Sequence, residues 1–217
     1  MYTGKVKVGG PADVHELPYL IISKLAVGPY NNNAYLLRCR RTGVQFLIDA
    51  PSEPVQLLAL IGADGLQTVI TTHSHHDHWG ALVEVIAATG AQTAAHFLDA
   101  PDIPVPTDRL LVDQDEVAFG DCTLTAIHLV GHTPGSIALL YRDPDGPPHL
   151  FTGDCLFPGG VGNTEKDAVR FTSLLGDVTT KLFDRLPNET WVYPGHGHDT
   201  DIGSERPNLA TWRERGW

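Results

Sequence analysis

The sequence predicts an α/β (α+β) protein in which β-sheets are covered by helices on their outer faces. Two observations carry this prediction: short strands joined by hairpin turns, and strands that alternate with helices along the chain. The length of 217 residues fits one domain, residues 1–217, and it is long enough to bury a core without disulfide bonds.

The strands are predicted from β-branched and apolar runs that lie between Gly-, Pro- and Asn-rich turns. The turn at Gly120 and Asp121 and the DPDGPP turn at 143–148 each separate two such runs, which is typical of hairpins. The predicted strands are residues 19–27, 34–39, 44–49, 68–72, 93–96, 117–119, 122–130, 137–141, 150–152 and 190–193.

The helices are predicted from apolar residues at helical spacing. Pro54 stands at a helix start, where its missing N–H costs nothing, and Gly62 and Gly90 stand where the first two helices would end. The predicted helices are residues 54–61, 78–89, 168–175, 178–186 and 204–215.

The charge balance excludes several classes of partner. Fifteen Lys and Arg against 26 Asp and Glu give a net charge of −11 with neutral histidine. Nucleic acids and anionic membrane surfaces attract clustered Lys and Arg, so neither is an expected partner. No window approaches the roughly 18 apolar residues of a membrane span, and the N-terminus lacks the apolar core of a signal peptide.

The cysteines favour a reducing compartment. Cys39, Cys122 and Cys155 are odd in number and widely spaced, and they form no C-x-x-C pair. The sequence therefore indicates no disulfide framework, and we expect a soluble cytoplasmic protein with reduced thiols.

Histidine is the unusual part of the composition. Eleven are present, and four lie within six positions of the segment 71–80, TTHSHHDHWG, between a predicted strand and a predicted helix. Side chains alternate in an extended segment, so His73 and His75 point the same way, and the following turn lets Asp77 and His78 reach the same point. Imidazole suits Zn, Fe, Ni and Cu, and carboxylate extends the set to Mn.

Three further candidate ligands follow other predicted strands, each beside glycine. They are His132 in GHTPGS, Asp154 in TGDC and His196 in PGHG. Glycine lets the backbone turn sharply, and loops held by a rigid sheet often carry function. Seven ligands are too many for one tetrahedral ion but suit two ions, about 3.5–4 Å apart, that share a carboxylate. The competing interpretation is a solvated His-rich turn with unrelated loop histidines.

The chain resembles the metallo-β-lactamase superfamily in H-x-H-x-D-H at 73–78, in His132, in Asp154 of TGD and in His196 of PGHG. Order and rough spacing agree from about residue 27 to residue 196. The resemblance implies an αββα sandwich, in which two mixed sheets lie face to face with helices outside and metals at one edge. It also implies two ligand sets and a bridge: His73, His75 and His132 on one metal, Asp77, His78 and His196 on the other, and Asp154 between them.

Within the superfamily, the segments 28–37, 131–136 and 152–165 are most similar to short hydrolases of the glyoxalase II (hydroxyacylglutathione hydrolase) type. This similarity implies two divalent metal ions as cofactors, zinc first, with iron or manganese as alternatives. The implied enzyme is a dinuclear hydrolase that cleaves a small-molecule thioester or ester with a metal-bridging hydroxide. Asp77 is the candidate catalytic residue, as a metal ligand that also orients the water or accepts its proton.

Two alternatives use the same fold. An iron-dependent persulfide dioxygenase would bind one iron through His73, His132 and Asp154, and a lactonase would differ only in its substrate. A β-lactamase is disfavoured, because B1 enzymes have a cysteine at the position of Asp154. The sequence does not identify the thiol part of the substrate, since 21 residues follow His196 and Asn163 stands where many short relatives have arginine.

Overall fold

The computed structural model describes residues 2–216, which are built around two large β-sheets. The strands are β1 (Asp13–Glu16), β2 (Leu20–Val27), β3 (Asn32–Cys39), β4 (Gln45–Ile48), β5 (Thr68–Thr71), β6 (Gln92–His96), β7 (Arg109–Leu111), β8 (Glu116–Phe119), β9 (Cys122–His128), β10 (Ile137–Tyr141), β11 (His149–Gly153), β12 (Leu156–Phe157), β13 (Gly160–Val161), β14 (Trp191–Pro194) and β15 (Thr200–Asp201). The helices are α1 (Pro54–Ile61), α2 (Leu82–Thr89), α3 (Ala168–Asp177), α4 (Ile202–Glu205) and α5 (Leu209–Arg215).

Both sheets are mixed, as the resemblance implied. The first runs β1-β2-β3-β4-β5-β6-β7, antiparallel from β1 to β4 and parallel from β4 to β7. The second runs β15-β14-β11-β10-β9-β8, and its one parallel pair is β11 with β14. Parallel neighbours need a crossover, and α1 and α2 provide two of the crossovers in the first sheet.

Successive side chains of a strand point to opposite faces of its sheet, and this alternation separates the layers of the core. In β3, Tyr35 and Leu37 belong to the apolar cluster between the two sheets, whereas Ala34 and Leu36 belong to the cluster that includes residues of α1 and α2. A third cluster joins the other face of the second sheet to α3 and α5, through residues such as Leu174. The order helix, sheet, sheet, helix confirms the predicted αββα sandwich.

The helix predicted from residue 78 begins only at Leu82. Residues His76–His78 form a single 3₁₀ turn, and the His78 carbonyl accepts a hydrogen bond from Ala50 N at 3.1 Å instead of continuing a helix. This bend turns Asp77 and His78 back towards β5. The terminal helix predicted over 204–215 is likewise divided by a 3₁₀ turn that contains Pro207, whose nitrogen has no hydrogen to donate.

The strands that the sequence did not predict are short or lie at the edges of the sheets. β1, β7 and β15 are edge strands of four residues or fewer, and β12 and β13 form a two-residue ribbon. Short edge strands carry little alternation, so their sequences resemble loops. None of the helices in the described residues has the length and apolar character needed to cross a membrane.

Candidate metal centre

All seven predicted ligand side chains meet at one edge of the sandwich. They come from loops that follow four strands of the two sheets: His73, His75, Asp77 and His78 after β5, His132 after β9, Asp154 after β11, and His196 after β14. The structure thus brings together residues that are up to 123 positions apart in the sequence.

The first ligand cluster consists of His73, His75 and His132. His73 Nε2 lies 3.2 Å from His75 Nδ1 and 3.2 Å from His132 Nε2. One ring nitrogen from each residue lies within 4.8 Å of the other two. Three imidazole nitrogens at this separation can serve as ligands of a single ion.

The second ligand cluster consists of Asp77, His78 and His196. His196 Nε2 lies 3.2 Å from His78 Nε2 and 3.4 Å from Asp77 Oδ2. These ligand atoms also lie within 4.8 Å of one another. The second cluster can therefore hold another ion, with one carboxylate and two imidazoles as ligands.

The carboxylate of Asp154 lies between the two clusters. Its Oδ2 is 3.6 Å from His132 Nε2 and 3.3 Å from His196 Nε2, and its Oδ1 is 3.4 Å from His78 Nε2. Within residues 2–216, Oδ1 is buried without a hydrogen bond. A buried oxygen without a partner is costly, and a shared cation would satisfy it.

Acceptors on the outer side of three rings fix which nitrogen faces inward. A neutral imidazole that donates through Nδ1 presents the lone pair of Nε2 on its other side. The inward Nε2 atoms and the two carboxylates thus converge as acceptors, a donor set that fits divalent metal ions. The Nδ1 contacts are His78 with Asp49 Oδ2 (2.8 Å), His132 with the Asn163 carbonyl (2.8 Å) and His196 with the Tyr30 carbonyl (2.9 Å).

The charges at the site are strongly coupled. Burial alone would lower the pKa of His78, but the carboxylates of Asp154 and Asp49 outweigh it and raise that pKa to about 10. Burial alone would raise the pKa of Asp154, but His78 and the other imidazoles hold it well below its ordinary value. Burial lowers the pKa values of His73 and His132. Without metal, a proton on His78 partly balances the carboxylates, and a metal cation would replace it.

Asp49 is a supporting residue that the sequence did not reveal. Its Oδ2 contacts His78 and accepts the Thr72 hydroxyl at 2.9 Å, and its Oδ1 accepts Thr72 N at 2.7 Å. It is buried directly after β4, in a left-handed conformation with a φ of 60°. The sequence feature that could have pointed to Asp49 is its place as a lone aspartate at the end of a strand that pairs with β5.

Asp99 holds two ligand loops against each other. Its carboxylate accepts hydrogen bonds from Ser74 N at 2.8 Å, from Thr133 Oγ1 at 2.6 Å and from Gly135 N at 2.6 Å. Ser74 lies between His73 and His75, and Thr133 follows His132. Asp99 therefore fixes the relative positions of the loops that form the first ligand cluster.

Gly195 permits the close approach of the ligands. A Cβ at this position would lie 2.7 Å from His78 Cε1 and nearer still to the Asp154 carboxylate. Any side chain here would displace one of these groups. The glycine in PGHG is thus explained by space beside the site.

An open cleft of about 470 Å³ adjoins the second ligand cluster. It is lined by Tyr30, His76, Asp77 and His196, and Tyr30 is 69% exposed. Two hydrogen bonds hold Asp77 in place at this cleft, because Asn32 Nδ2 donates to its carbonyl at 2.7 Å and to its Oδ2 at 3.0 Å. A small molecule can reach the second cluster from this side.

Known proteins share both the sequence pattern and the fold. A hydroxyacylglutathione hydrolase from Polaromonas sp. is 36% identical over 183 residues, which are 82% of this chain and 67% of that protein. The chain spans about two thirds of the length of the hydroxyacylglutathione hydrolases that it matches.

Two solved structures are similar over most of the chain. ETHE1 from Myxococcus xanthus superposes with a TM-score of 0.75 at 29% identity, over 88% of this chain and 84% of that chain. A di-iron-bound form of TTHA1623 superposes with a TM-score of 0.69 at 31% identity, over 84% of this chain and 96% of that chain.

The family model of the metallo-beta-lactamase superfamily matches residues 27–198. This region contains both ligand clusters and Asp154, the residues on which the resemblance rested. With the fold and the sequence in agreement, the chain belongs to the metallo-β-lactamase superfamily.

Proposed function

We propose that the protein is a dinuclear metal-dependent hydrolase of the glyoxalase II type, which cleaves the thioester bond of a small molecule. The observation that carries the proposal is the position of the Asp154 carboxylate between two ligand clusters. The similarity to hydroxyacylglutathione hydrolases supports the choice of bond. The cytoplasmic location and the absence of a nucleic-acid partner stay predictions from composition.

The proposed ligand sets follow the two clusters. When bound, two divalent ions would supply an activated water and polarise the substrate carbonyl. Zinc is the proposed metal, with iron and manganese as alternatives, and the di-iron-bound form of TTHA1623 supports iron as one of these. The proposed ligands are His73, His75 and His132 for one ion, Asp77, His78 and His196 for the other, and Asp154 for both.

The chain itself would orient the reactants. Asp77 combines a fixed carboxylate, held by Asn32, with a side chain that is 31% exposed at the cleft. We assign it two roles, as a ligand and as the group that orients the attacking water or accepts its proton. The fixed rings of His78 and His196 keep the ligand geometry unchanged while substrate enters from the Tyr30 side.

A thioester suits this site better than an amide. The pKa of an ordinary thiol is about 8.5, so a thiolate can depart without being protonated first. An amine needs a general acid that protonates it as it departs, which a thiolate does not. A thioester therefore makes the smaller chemical demand on the site, in agreement with the similarity to hydroxyacylglutathione hydrolases.

A second candidate function rests on His73, His132 and Asp154 alone. Two imidazoles and one carboxylate form the ligand set of many non-haem iron oxygenases. His132 Nε2 lies 3.2 Å from His73 Nε2 and 3.6 Å from Asp154 Oδ2, so these three residues could hold a single iron. A persulfide dioxygenase would use this set and would consume O₂.

Elemental analysis combined with substrate assays separates the two functions. We expect two metal ions per chain in the purified protein, and hydrolysis of a hydroxyacylglutathione or of an acyl thioester of a smaller thiol, with a lactone as comparison. Protein stripped with a chelator should lose the activity and regain it with added metal. A fully metal-loaded protein that is inert to every thioester and lactone would refute the hydrolase, and one iron with persulfide-dependent O₂ uptake would establish the dioxygenase.

Asp49→Asn is expected to weaken metal binding by about 10–100-fold, because the amide cannot hold the His78 ring as the carboxylate does. Competition with a chromophoric chelator measures this change. Asp145→Asn, an exposed aspartate in the turn before β11, is the matched control and should bind metal like the parent protein. Equal affinities in both variants would show that the contact from Asp49 to His78 does not support the site.

A further inference from the structure

Two cysteines that are far apart in the sequence meet across the sandwich. Cys39 ends β3 in the first sheet, Cys122 begins β9 in the second, and both belong to the apolar cluster between the sheets. The two thiols are close enough to interact with each other. The sequence indicated no such pair, because the contact depends on how the two sheets face each other.

The turn that joins β8 to β9 brings the sulfurs together. Asp121 N donates to Cys39 Sγ at 3.4 Å, and a Cβ at Gly120 would lie 2.9 Å from the same sulfur. Gly120 also has a φ of 56°, a conformation that glycine adopts most easily. This turn therefore fixes Cys122 beside Cys39.

Both thiols are buried, but they border a cavity that small reagents can enter. Cys39 and Cys122 line a cavity of about 900 Å³ together with Tyr19, Tyr141 and Arg142. The cavity lies at the end of β3 opposite to Asn32, which contacts the candidate metal centre. Cys155, the third cysteine, is fully buried and does not line this cavity.

We propose that Cys39 and Cys122 are a redox-active pair, which hydrogen peroxide converts into a reversible disulfide between the two sheets. The Cys39 sulfur attacks one peroxide oxygen, the O–O bond breaks, and the departing hydroxide takes the thiol proton to form water. The Cys122 sulfur then attacks the resulting sulfenic acid, the S–O bond breaks, and the hydroxyl leaves with the Cys122 proton as a second water. Two thiols are oxidised and one peroxide is reduced to two waters.

The environments of the two sulfurs assign the order of the steps. Burial raises the pKa of Cys39, but hydrogen bonds from Thr42 and from backbone N–H groups outweigh it, so that pKa lies below its ordinary value. Burial raises the pKa of Cys122 to about 12. Cys39 is therefore the sulfur that attacks peroxide, and Cys122 is the one that resolves the sulfenic acid.

Mass spectrometry of the full-length protein tests the proposal. The protein is treated with a small excess of hydrogen peroxide, quenched and alkylated under denaturing conditions. We expect a mass decrease of two hydrogen atoms per chain, a linked peptide pair that contains Cys39 and Cys122, alkylation of Cys155, and full reversal by dithiothreitol. Recovery of Cys39 and Cys122 as alkylated thiols, or as sulfinic acids, would overturn the proposal.

Two variants sharpen the result. Cys155→Ser should form the same linked pair, whereas Cys122→Ser should lose it and accumulate Cys39 sulfenic acid, which a dimedone probe traps. A disulfide constrains the unfolded chain, so oxidation should raise the thermal midpoint of the parent protein and of Cys155→Ser, but not that of Cys122→Ser. The peptide map of the parent protein decides the question even if one variant fails to fold.

Discussion

Asp154→Ala is expected to lose most of its bound metal and to hydrolyse thioesters with a kcat/KM reduced on the order of 10³-fold or more. Metal ions contribute several kcal/mol to the transition state of such reactions, and each 1.36 kcal/mol corresponds to a factor of about ten. The Asp154 carboxylate lies between the two ligand clusters, with Oδ2 3.6 Å from His132 Nε2 and 3.3 Å from His196 Nε2. Its removal therefore affects both proposed ions.

Metal content and thermal stability together check this prediction. Elemental analysis should find well under two ions per chain in Asp154→Ala, while His76→Ala, an exposed histidine of the same segment, should keep the metal content of the parent protein. Ions that bind only the folded chain stabilise it by mass action, so a chelator should lower the thermal midpoint of the parent protein but barely change that of Asp154→Ala. Full metal content in Asp154→Ala would show that its carboxylate is not a shared ligand.

The candidate ligands could be recognised in the sequence because their chemistry is rare and local. His73, His75, Asp77 and His78 lie within six positions after one strand, and few structural roles need so many imidazoles together. Apolar and β-branched runs between turn residues likewise placed the long central strands, because burial on both faces leaves a continuous apolar segment. Superfamily and fold were both confirmed on this basis.

The supporting residues could not be predicted, because their partners are distant in the sequence. Asp49 and Asp99 are single carboxylates after strands, and their hydrogen bonds reach loops that only the completed sandwich brings near. The same holds for Cys39 and Cys122, which meet only when the two sheets face each other. The late start of α2 was missed because a backbone contact from Ala50 to the His78 carbonyl overrides the local preference for a helix.

A buried ion pair beside the His196 loop gives the largest expected change in stability. Lys24 is fully buried, and its ammonium donates to Asp199 Oδ1 at 2.6 Å, to the Gly197 carbonyl at 2.7 Å and to the Gly4 carbonyl at 2.9 Å. Asp199 Oδ2 accepts from the Tyr2 hydroxyl and from the Trp191 indole. Burial lowers the pKa of Lys24, and Asp199 opposes that change.

Asp199→Ala is expected to lower the free energy of unfolding by about 3–5 kcal/mol, because it leaves a buried ammonium without its counter-charge. Chemical denaturation of the metal-free protein measures this loss without a contribution from metal binding. The double variant Lys24→Met with Asp199→Ala removes both charges and should recover much of the stability, since a buried pair replaced by apolar groups often costs little. If the single and double variants were equally stable, the unpaired charge would not be the cause of the lost stability.

The same ion pair also bears on the candidate metal centre, because Gly197 follows His196 and its carbonyl accepts a hydrogen bond from Lys24. We therefore expect the single variant to bind metal more weakly than the double variant.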